Sequence, residues 1–397
     1  MANEIITAID IGSHSIHTLI AQKKEDLLPQ IIGVGSVRSN GVRGGIIIDP
    51  EDVEACIAES VKIAERGAGV RVSKAFVSIG GSHISSQSSK GIIAVSRADG
   101  EISSDDVERV IGAAQTFSLP NNREILHVIP REFIIDQDGG IRDPLGMKGV
   151  RLEANTLIIS GAVPHIRNLN KVMSALGIEV EGIVLDALAS AKAVLTKRQK
   201  ELGVVCLDIG GGTTGVSVFE EGDLLHTSVI PLGGSHITND LAIGLRISVD
   251  IAENVKLEYG AALPSEIGKR DVIDLSHIGG VEEGSISRRE SCEIIEARLF
   301  GPLGHLQFPI ARAHGAIIAR APEHSRSARR PGEDILAVDR PVRRHRCARG
   351  RSNRREDVEM ARDVGALCPG CDAARPAHEQ GRADATFEKG RFPAAER

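Results

Sequence analysis

Two stretches of this chain place an acid, a glycine turn and hydroxyls in the order that a phosphate grip needs. In the later one an apolar run from Val204 carries Asp208 near its end. It breaks at Gly210-Gly211-Gly212-Thr213-Thr214 and resumes through Phe219. Consecutive glycines let the backbone approach a polyphosphate and aim N–H groups at it. Thr213 and Thr214 add hydroxyl donors, and Asp208 is expected to hold Mg2+ through water. In the earlier stretch Ile5 to Ile9 leads into Asp10-Ile11-Gly12-Ser13-His14-Ser15, with another β-type run from Ile16 to Ala21. This makes Asp10 the second candidate Mg2+ residue and Gly12, Ser13 and His14 the second loop. One such turn is weak in a chain with 43 Gly, and an ordinary β-turn competes with it; two in the same order are far more specific. Together they imply a duplicated architecture with a nucleotide between its halves.

Further candidates follow the second turn. His226 to Leu232 reads as a strand that ends in Gly233-Gly234, with Ser235 able to cap a helix through Leu245. Helix N-termini attract anions, so Gly233 and Gly234 are expected at the terminal phosphates. Next, Ser248 caps a helix whose Ile251, Val255 and Tyr259 share an apolar side, while Glu253 and Lys256 stand three apart on a polar one. Two readings stay open there: a solvated ion pair, or an acid that accepts from ribose hydroxyls beside a lysine stem that packs on adenine. His83 and His127 are isolated and read as structural. No general base is evident, so catalytic residues are unassigned and hydrolysis is expected to be slow or absent.

The elements that must position these groups are legible by period. Asp49-Pro50-Glu51-Asp52 opens a helix with Val53, Ile57, Val61 and Ala64 on one side and Gly67 at its end; Lys74 to Ile79 is a strand. Short β runs (91–96, 125–128, 131–136, 155–161) surround a helix from Ser103 or Ser104 that carries Val107, Val110, Ile111, Ala114 and Phe117. Then come a helix stopped by Gly177, a strand from Ile178 to Leu185, and a helix from Ala187 to Lys200. Strand, crossover helix and strand in that order call for a parallel or mixed sheet.

Composition bounds the class. With 397 residues, 41% hydrophobic and 26% charged, the chain has the balance of a globular protein with more than one core. No apolar run of about 18 residues and no basic leader occur, and six scattered Cys fit reduced thiols, so a cytoplasmic location is expected. Aromatics at 2% argue against stacking platforms for single-stranded nucleic acid, and no specific nucleic-acid partner is expected.

The turns at Ala8 to Ser13 and Leu207 to Thr214 together resemble the phosphate loops of the actin, sugar kinase and heat-shock chaperone ATPase superfamily. Within it, Phe76 to Gly81, His127 to Pro130 and Asp143 to Met147 are similar to the flanks and body of the subdomain that marks the FtsA family of bacterial division proteins. Ala252 to Lys256 resembles the family's adenosine-contacting helix. The resemblance covers about residues 5–299. It implies an α/β actin-like ATPase fold of two related domains around a nucleotide cleft, with an inserted subdomain. The implied division is 1–83, 84–162 (the insert), 163–200, 201–299 and an atypical 300–397. It also implies ATP and Mg2+ as cofactors, self-association into polymers, FtsZ and later division proteins as partners, and the inner face of the cell membrane at the division site as the location. A small-molecule kinase or phosphohydrolase of the superfamily, or another actin-like adaptor such as a pilus-assembly protein, is the alternative.

Beyond residue 300 the pattern changes. Residues 301–397 hold 18 Arg and 1 Lys against 13 Asp and Glu, without sustained 3.6 or 2.0 periodicity. Such a segment reads as disordered, and its Arg344 to Arg355 cluster as able to attract anionic lipid by charge alone. Cys368 and Cys371 lack two further ligands at zinc spacing. The family's membrane-binding helix is not evident: Gly390 and Pro393 interrupt the last stretch. The composition is what GC-rich coding DNA gives when read out of frame, and a frameshift near codon 300 is the hypothesis it supports.

Overall fold

A computed structural model describes residues 4–23, 29–116, 120–279, 284–304 and 316–320. The alternating run at the start forms β1 (Glu4–Ile11), antiparallel to β2 (Ser15–Lys23), which is antiparallel to β3 (Gln30–Arg38). A small hairpin, β4 (Val42–Arg43) and β5 (Ile46–Ile47), precedes α1 (Pro50–Ala68). The Asp49 side chain accepts from the N–H groups of Glu51 and Asp52, and the helix buries Val53, Ile57, Val61 and Ala64 as their spacing requires. It closes at Gly69 in the left-handed region (φ 70°), not at Gly67. Gly67 lies inside the helix, where a Cβ would make only ordinary contact with Gly33 Cα at 3.6 Å, so it neither stops the helix nor is required by packing. β6 (Lys74–Ile79) then runs parallel to β1.

The insert consists of β7 (Ser85–Ala94), α2 (Ser104–Gln115), β8 (Arg123–Ile135), β9 (Asp138–Ile141) and β10 (Arg151–Ala162), with sheet order β7-β10-β8-β9. Ser103 and Asp106 cap α2 reciprocally; burial works to raise the Asp106 carboxyl, but its bonds to Ser103, Arg109 and Ser96 hold it well below the carboxylate range. Ile102, Val107, Val110, Phe133, Ile135 and Leu152 form the insert's own core. The runs at 125–128 and 131–136 join into one strand through Pro130. A register shift that leaves Arg131 without a Cα partner absorbs the missing proline N–H. Phe117, expected on the α2 face, lies outside the described residues.

The chain returns to the first sheet through α3 (Val163–Ala175) and β11 (Glu179–Leu185), parallel to β6, which gives the order β11-β6-β1-β2-β3. The single helix expected from Ala187 to Lys200 is two, α4 (Asp186–Val194) and α5 (Lys197–Leu202). Thr196 caps the second with Gln199, and the local capping box wins over helical continuity. β12 (Val204–Ile209), β13 (Thr214–Glu220) and β14 (Asp223–Ile230) form an antiparallel meander, followed by α6 (Gly234–Leu245) and α7 (Val249–Tyr259). β15 (Val272–Asp274), α8 (Ser276–Gly279), β16 (Ser285–Ser287) and α9 (Arg288–Gly304) pack around α7 and α6. Last, β17 (Ala316–Arg320) pairs in parallel with β12, and the second sheet reads β14-β13-β12-β17.

The two sheets therefore share a plan: a three-strand meander with a parallel strand added beside its first member. β17 takes the place in the second sheet that β6 takes in the first. The change of pattern expected after residue 299 falls within α9, which runs to Gly304, and β17 follows it. Parallel strands read as short apolar runs and not as alternation, so Ala316-Ile317-Ile318-Ala319 gave no period to find. The expectations placed on residues 321–397, including the cysteine pair and the terminal stretch, lie outside the described residues. One continuous core joins Ile9, Ile57, Val77, Ile159, Val172, Leu188 and Cys206, so α4 packs the first sheet to the second. No helix among the described residues is long and apolar enough to cross a membrane.

Candidate functional site

The hairpins β1–β2 and β12–β13 turn in the same way. Ile11 pairs with Ile16 and Ile209 with Thr214, so each turn spans four residues. In each, the first glycine donates its N–H to the carbonyl three residues on: Gly12 to Ser15 at 3.1 Å, Gly210 to Thr213 at 2.8 Å. Asp10 and Asp208 each stand two residues before that glycine.

These turns meet tip to tip. A Cβ on Gly211 would stand 2.7 Å from His14 Cβ, and one on Gly212 would stand 2.8 Å from Ser13 Oγ and 2.9 Å from the nitrogen of Gly44. Ser13 Oγ accepts from the Gly45 N–H at 2.8 Å. Gly44 and Gly45, at φ 59° and 73°, form the turn of the β4–β5 hairpin and supply a third wall. Sequence reasoning missed them, although two glycines between short apolar pairs are the signal of a hairpin turn with positive φ at both positions.

Serines hold both carboxylates. Ser78 on β6 donates to Asp10 Oδ1 at 2.7 Å and itself accepts from the Ile11 N–H at 3.0 Å. Ser190 on α4 donates to Asp208 Oδ2 at 2.6 Å. A third acid, Asp186, follows β11 directly; its Oδ1 accepts from the Ala187 N–H at 2.6 Å, and a Cβ on Gly80 would stand 2.0 Å from its Oδ2. Gly12, Gly80 and Asp186 thus all follow the C-terminal ends of neighbouring parallel strands, the usual edge for a ligand site in such sheets. An acid between a strand and a helix was the available signal for Asp186, and it was not used.

Among the described residues no three His, Cys, Asp or Glu side chains converge as a metal cluster. The carboxylates of Asp10 and Asp208, each two residues before a glycine turn, suit Mg2+, which keeps several waters and takes one or two carboxylates plus phosphate oxygens. The two tips stand in contact, with no room for a side chain between them, and bare glycine backbone is what a polyphosphate would need on either side once they part.

Two expected groups are placed differently. The Gly234 N–H donates to the Gly210 carbonyl at 2.9 Å and the Gly233 N–H to His236 Nδ1 at 3.1 Å. Both N–H groups are therefore used within the protein: that of Gly234 braces the second turn from behind, and that of Gly233 caps the start of α6 on His236. Thr214 Oγ1 donates to the Leu232 carbonyl at 2.7 Å, so its hydroxyl also serves the frame, while Thr213 stays in the turn itself.

Glu253 and Lys256 form an ion pair at 2.6 Å, and the lysine is 2% exposed, so the solvated reading of that pair is corrected as well. Lys256 Nζ also donates to Thr238 Oγ1 at 2.7 Å and to the Gly234 carbonyl at 3.3 Å. Burial lowers the Lys256 pKa, with Glu253 opposing. The pair lies one residue contact behind the second turn. His127, partly buried, accepts from the Leu185 N–H at 3.1 Å, and desolvation brings it down to about 4. His83 packs on the His165 ring at 4.5 Å and is likewise lowered to about 4, by burial and then by His165 and Arg123. Both histidines are frame, as their isolation in sequence suggests.

A family model described as the SHS2 domain inserted in FTSA matches residues 81–160, the span of the insert. One described as cell division protein FtsA matches residues 205–380. Cell division protein FtsA of Pseudomonas aeruginosa is 38% identical over 297 residues, covering 75% of this chain and 71% of that protein. The Bacillus subtilis protein of that name is 40% identical over 297 residues, covering 75% and 67%. That of Escherichia coli is 34% identical over 295 residues, covering 74% and 70%. Among solved structures, a chain of the PilM-PilN type IV pilus biogenesis complex matches with a TM-score of 0.54 at 12% identity, over 80% of this chain and 81% of that one, a likeness of fold alone.

Proposed function

This chain belongs to the FtsA family of cell division proteins, and from that premise we propose that it is an ATP-binding scaffold of the division machinery. Its fold is the α/β actin-like ATPase fold with two related domains and the family's insert. The observation that carries the proposal is the tip-to-tip meeting of two matched acid–glycine turns. In this reading Gly12, Ser13 and His14 face Gly210, Gly211, Gly212 and Thr213 across the phosphates, and Asp10 and Asp208 hold Mg2+ through water. Glu253 and Lys256 stand on the nucleoside side, with Gly233, Gly234 and Thr214 as support. Mg2+-ATP, when bound, would supply the negative charge that the backbone N–H groups of the two glycine turns suit.

The division partners proposed are FtsZ, further copies of the chain and later division proteins, at the inner face of the cell membrane. The insert, with its own core and a sheet that docks on the main one, is the proposed contact for neighbours. A small-molecule kinase or a pilus adaptor is disfavoured, since the relatives at 34–40% identity are named as division proteins and the pilus complex shares only 12%. Calorimetry of the full chain with Mg2+-ATP, and co-sedimentation with FtsZ in its presence, test the reading. Nucleotide binding with FtsZ capture is expected. ATP turnover stimulated by a small-molecule acceptor, without FtsZ capture, would refute it.

A further inference from the structure

Each of the two carboxylates of the site accepts from a serine hydroxyl on a different element. Ser78 bridges the Ile11 N–H and Asp10 Oδ1, tying the carboxylate to the last residue before the first turn. Ser190 reaches Asp208 Oδ2 because α4 lies close on β13. A Cβ on Gly215 would stand 2.7 Å from Ala187 Cβ, and Ser217 Oγ donates to the Ala187 carbonyl at 3.1 Å. The hydroxyl of Ser190 is buried at 8% exposure, where a bond to an ionised acceptor is strong and its loss is felt. Neither serine belongs to the acid–glycine turns, and neither stood out in the sequence.

We propose that Ser78 and Ser190 are positioning residues for the divalent cation: each fixes the rotation of one carboxylate, so that Asp10 and Asp208 present a preset pair of oxygens to hydrated Mg2+. A hydroxyl that donates to one carboxylate oxygen removes the torsional freedom about the Cβ–Cγ bond, and groups that orient metal-holding side chains contribute to metal affinity without touching the metal. The inference rests on the nucleotide reading given above and adds the part that the frame takes in it.

The test measures ATP affinity of the full chain by calorimetry over a range of Mg2+ concentrations, and once in EDTA, for the parent, Ser78→Ala, Ser190→Ala and Ser78→Thr. Unfolding of each is followed without ligand. The alanine variants are expected to need about tenfold more Mg2+ for half-maximal tightening, with ATP affinity in EDTA unchanged. Ser78→Thr keeps the hydroxyl and should return the Mg2+ requirement to the parent value, which a purely steric or stability role would not do. If the parent binds Mg2+-ATP and the alanine variants show the parent Mg2+ requirement, the positioning role is overturned. An equal loss of affinity with and without Mg2+ would overturn it too, by making the serines general supports of the fold. If the parent shows no Mg2+-dependent ATP binding at all, the nucleotide reading itself fails, and the inference with it.

Discussion

Replacing Gly211 by alanine tests the meeting of the two turns with one carbon atom. Gly211 is not among the glycines with positive φ, so alanine strains no backbone there and the effect is steric. The new Cβ would stand 2.7 Å from His14 Cβ and 3.3 Å from the His14 nitrogen. Carbon atoms settle at about 3.5–4.0 Å, so the tips must part by about 0.8 Å or more. Overpacking of this kind costs about 1–3 kcal/mol. The ligand-free chain can relieve it by opening the tips, whereas the added methyl would also keep a phosphate away from the Gly211 backbone. Nearly all of the cost is therefore expected in ATP affinity, a loss of about five- to 150-fold, while the unfolding midpoint moves by no more than about 2 °C. Gly112→Ala is the control: it lies in α2 with nothing within 4 Å of its Cβ. Calorimetry with Mg2+-ATP at fixed salt reads the affinity and thermal unfolding reads the stability. Unchanged affinity in Gly211→Ala would refute the assignment of the second turn to phosphate.

Other perturbations follow from the same coordinates. Gly112→Ala itself should stabilise the insert by about 0.5–1 kcal/mol through helix propensity, read as a higher urea midpoint. Gly215→Ala presses on Ala187 and should cost about 1–3 kcal/mol while raising the Mg2+ requirement as Ser190→Ala does; an unchanged requirement would uncouple α4 from Asp208. Lys256→Met leaves Glu253 beside Thr238 without its cation, and since Glu253 keeps some exposure the cost should be about 3 kcal/mol, near the low end for a broken buried pair. His127 has a folded pKa of about 4, below its ordinary value, so the neutral form is the one the fold accepts. The stability tied to that group is present above about pH 6.5 and is lost as pH falls from there toward 4, by about 2 kcal/mol at pH 5. Urea titrations at pH 7 and 5 should show that loss in the parent and a flatter dependence in His127→Gln. Resequencing the coding DNA across codon 300 is expected to find a shifted reading frame; an intact frame would sink that hypothesis.

What the sequence determined by itself was local and periodic. The acid–glycine turns, the Asp49 and Ser103 caps, the α1 and α2 stripes and the extent of β6 are written in neighbouring residues, because a hairpin turn, a cap and an amphipathic face each depend on side chains a few positions apart. Duplication of the turns was enough to foresee two related halves. Where local signals compete, sequence reasoning misplaced the boundary: Gly67 read as a stop but the helix runs through it to Gly69, and Thr196 divides a helix that composition alone would continue. Only the tertiary structure decided which polar groups remain for a ligand. The N–H group of Gly234 is an ordinary helix-start donor in sequence, and only the approach of the Gly210 carbonyl shows it already bonded. Ser78 and Ser190 become partners of Asp10 and Asp208 through contacts 68 and 18 residues long, and β17 finds its place beside β12 by parallel pairing. The physical reason is common to all of them. A hydrogen-bonding group has few bonds to make and many segments able to make them, and the choice is made by packing the whole chain, not by the residues on either side.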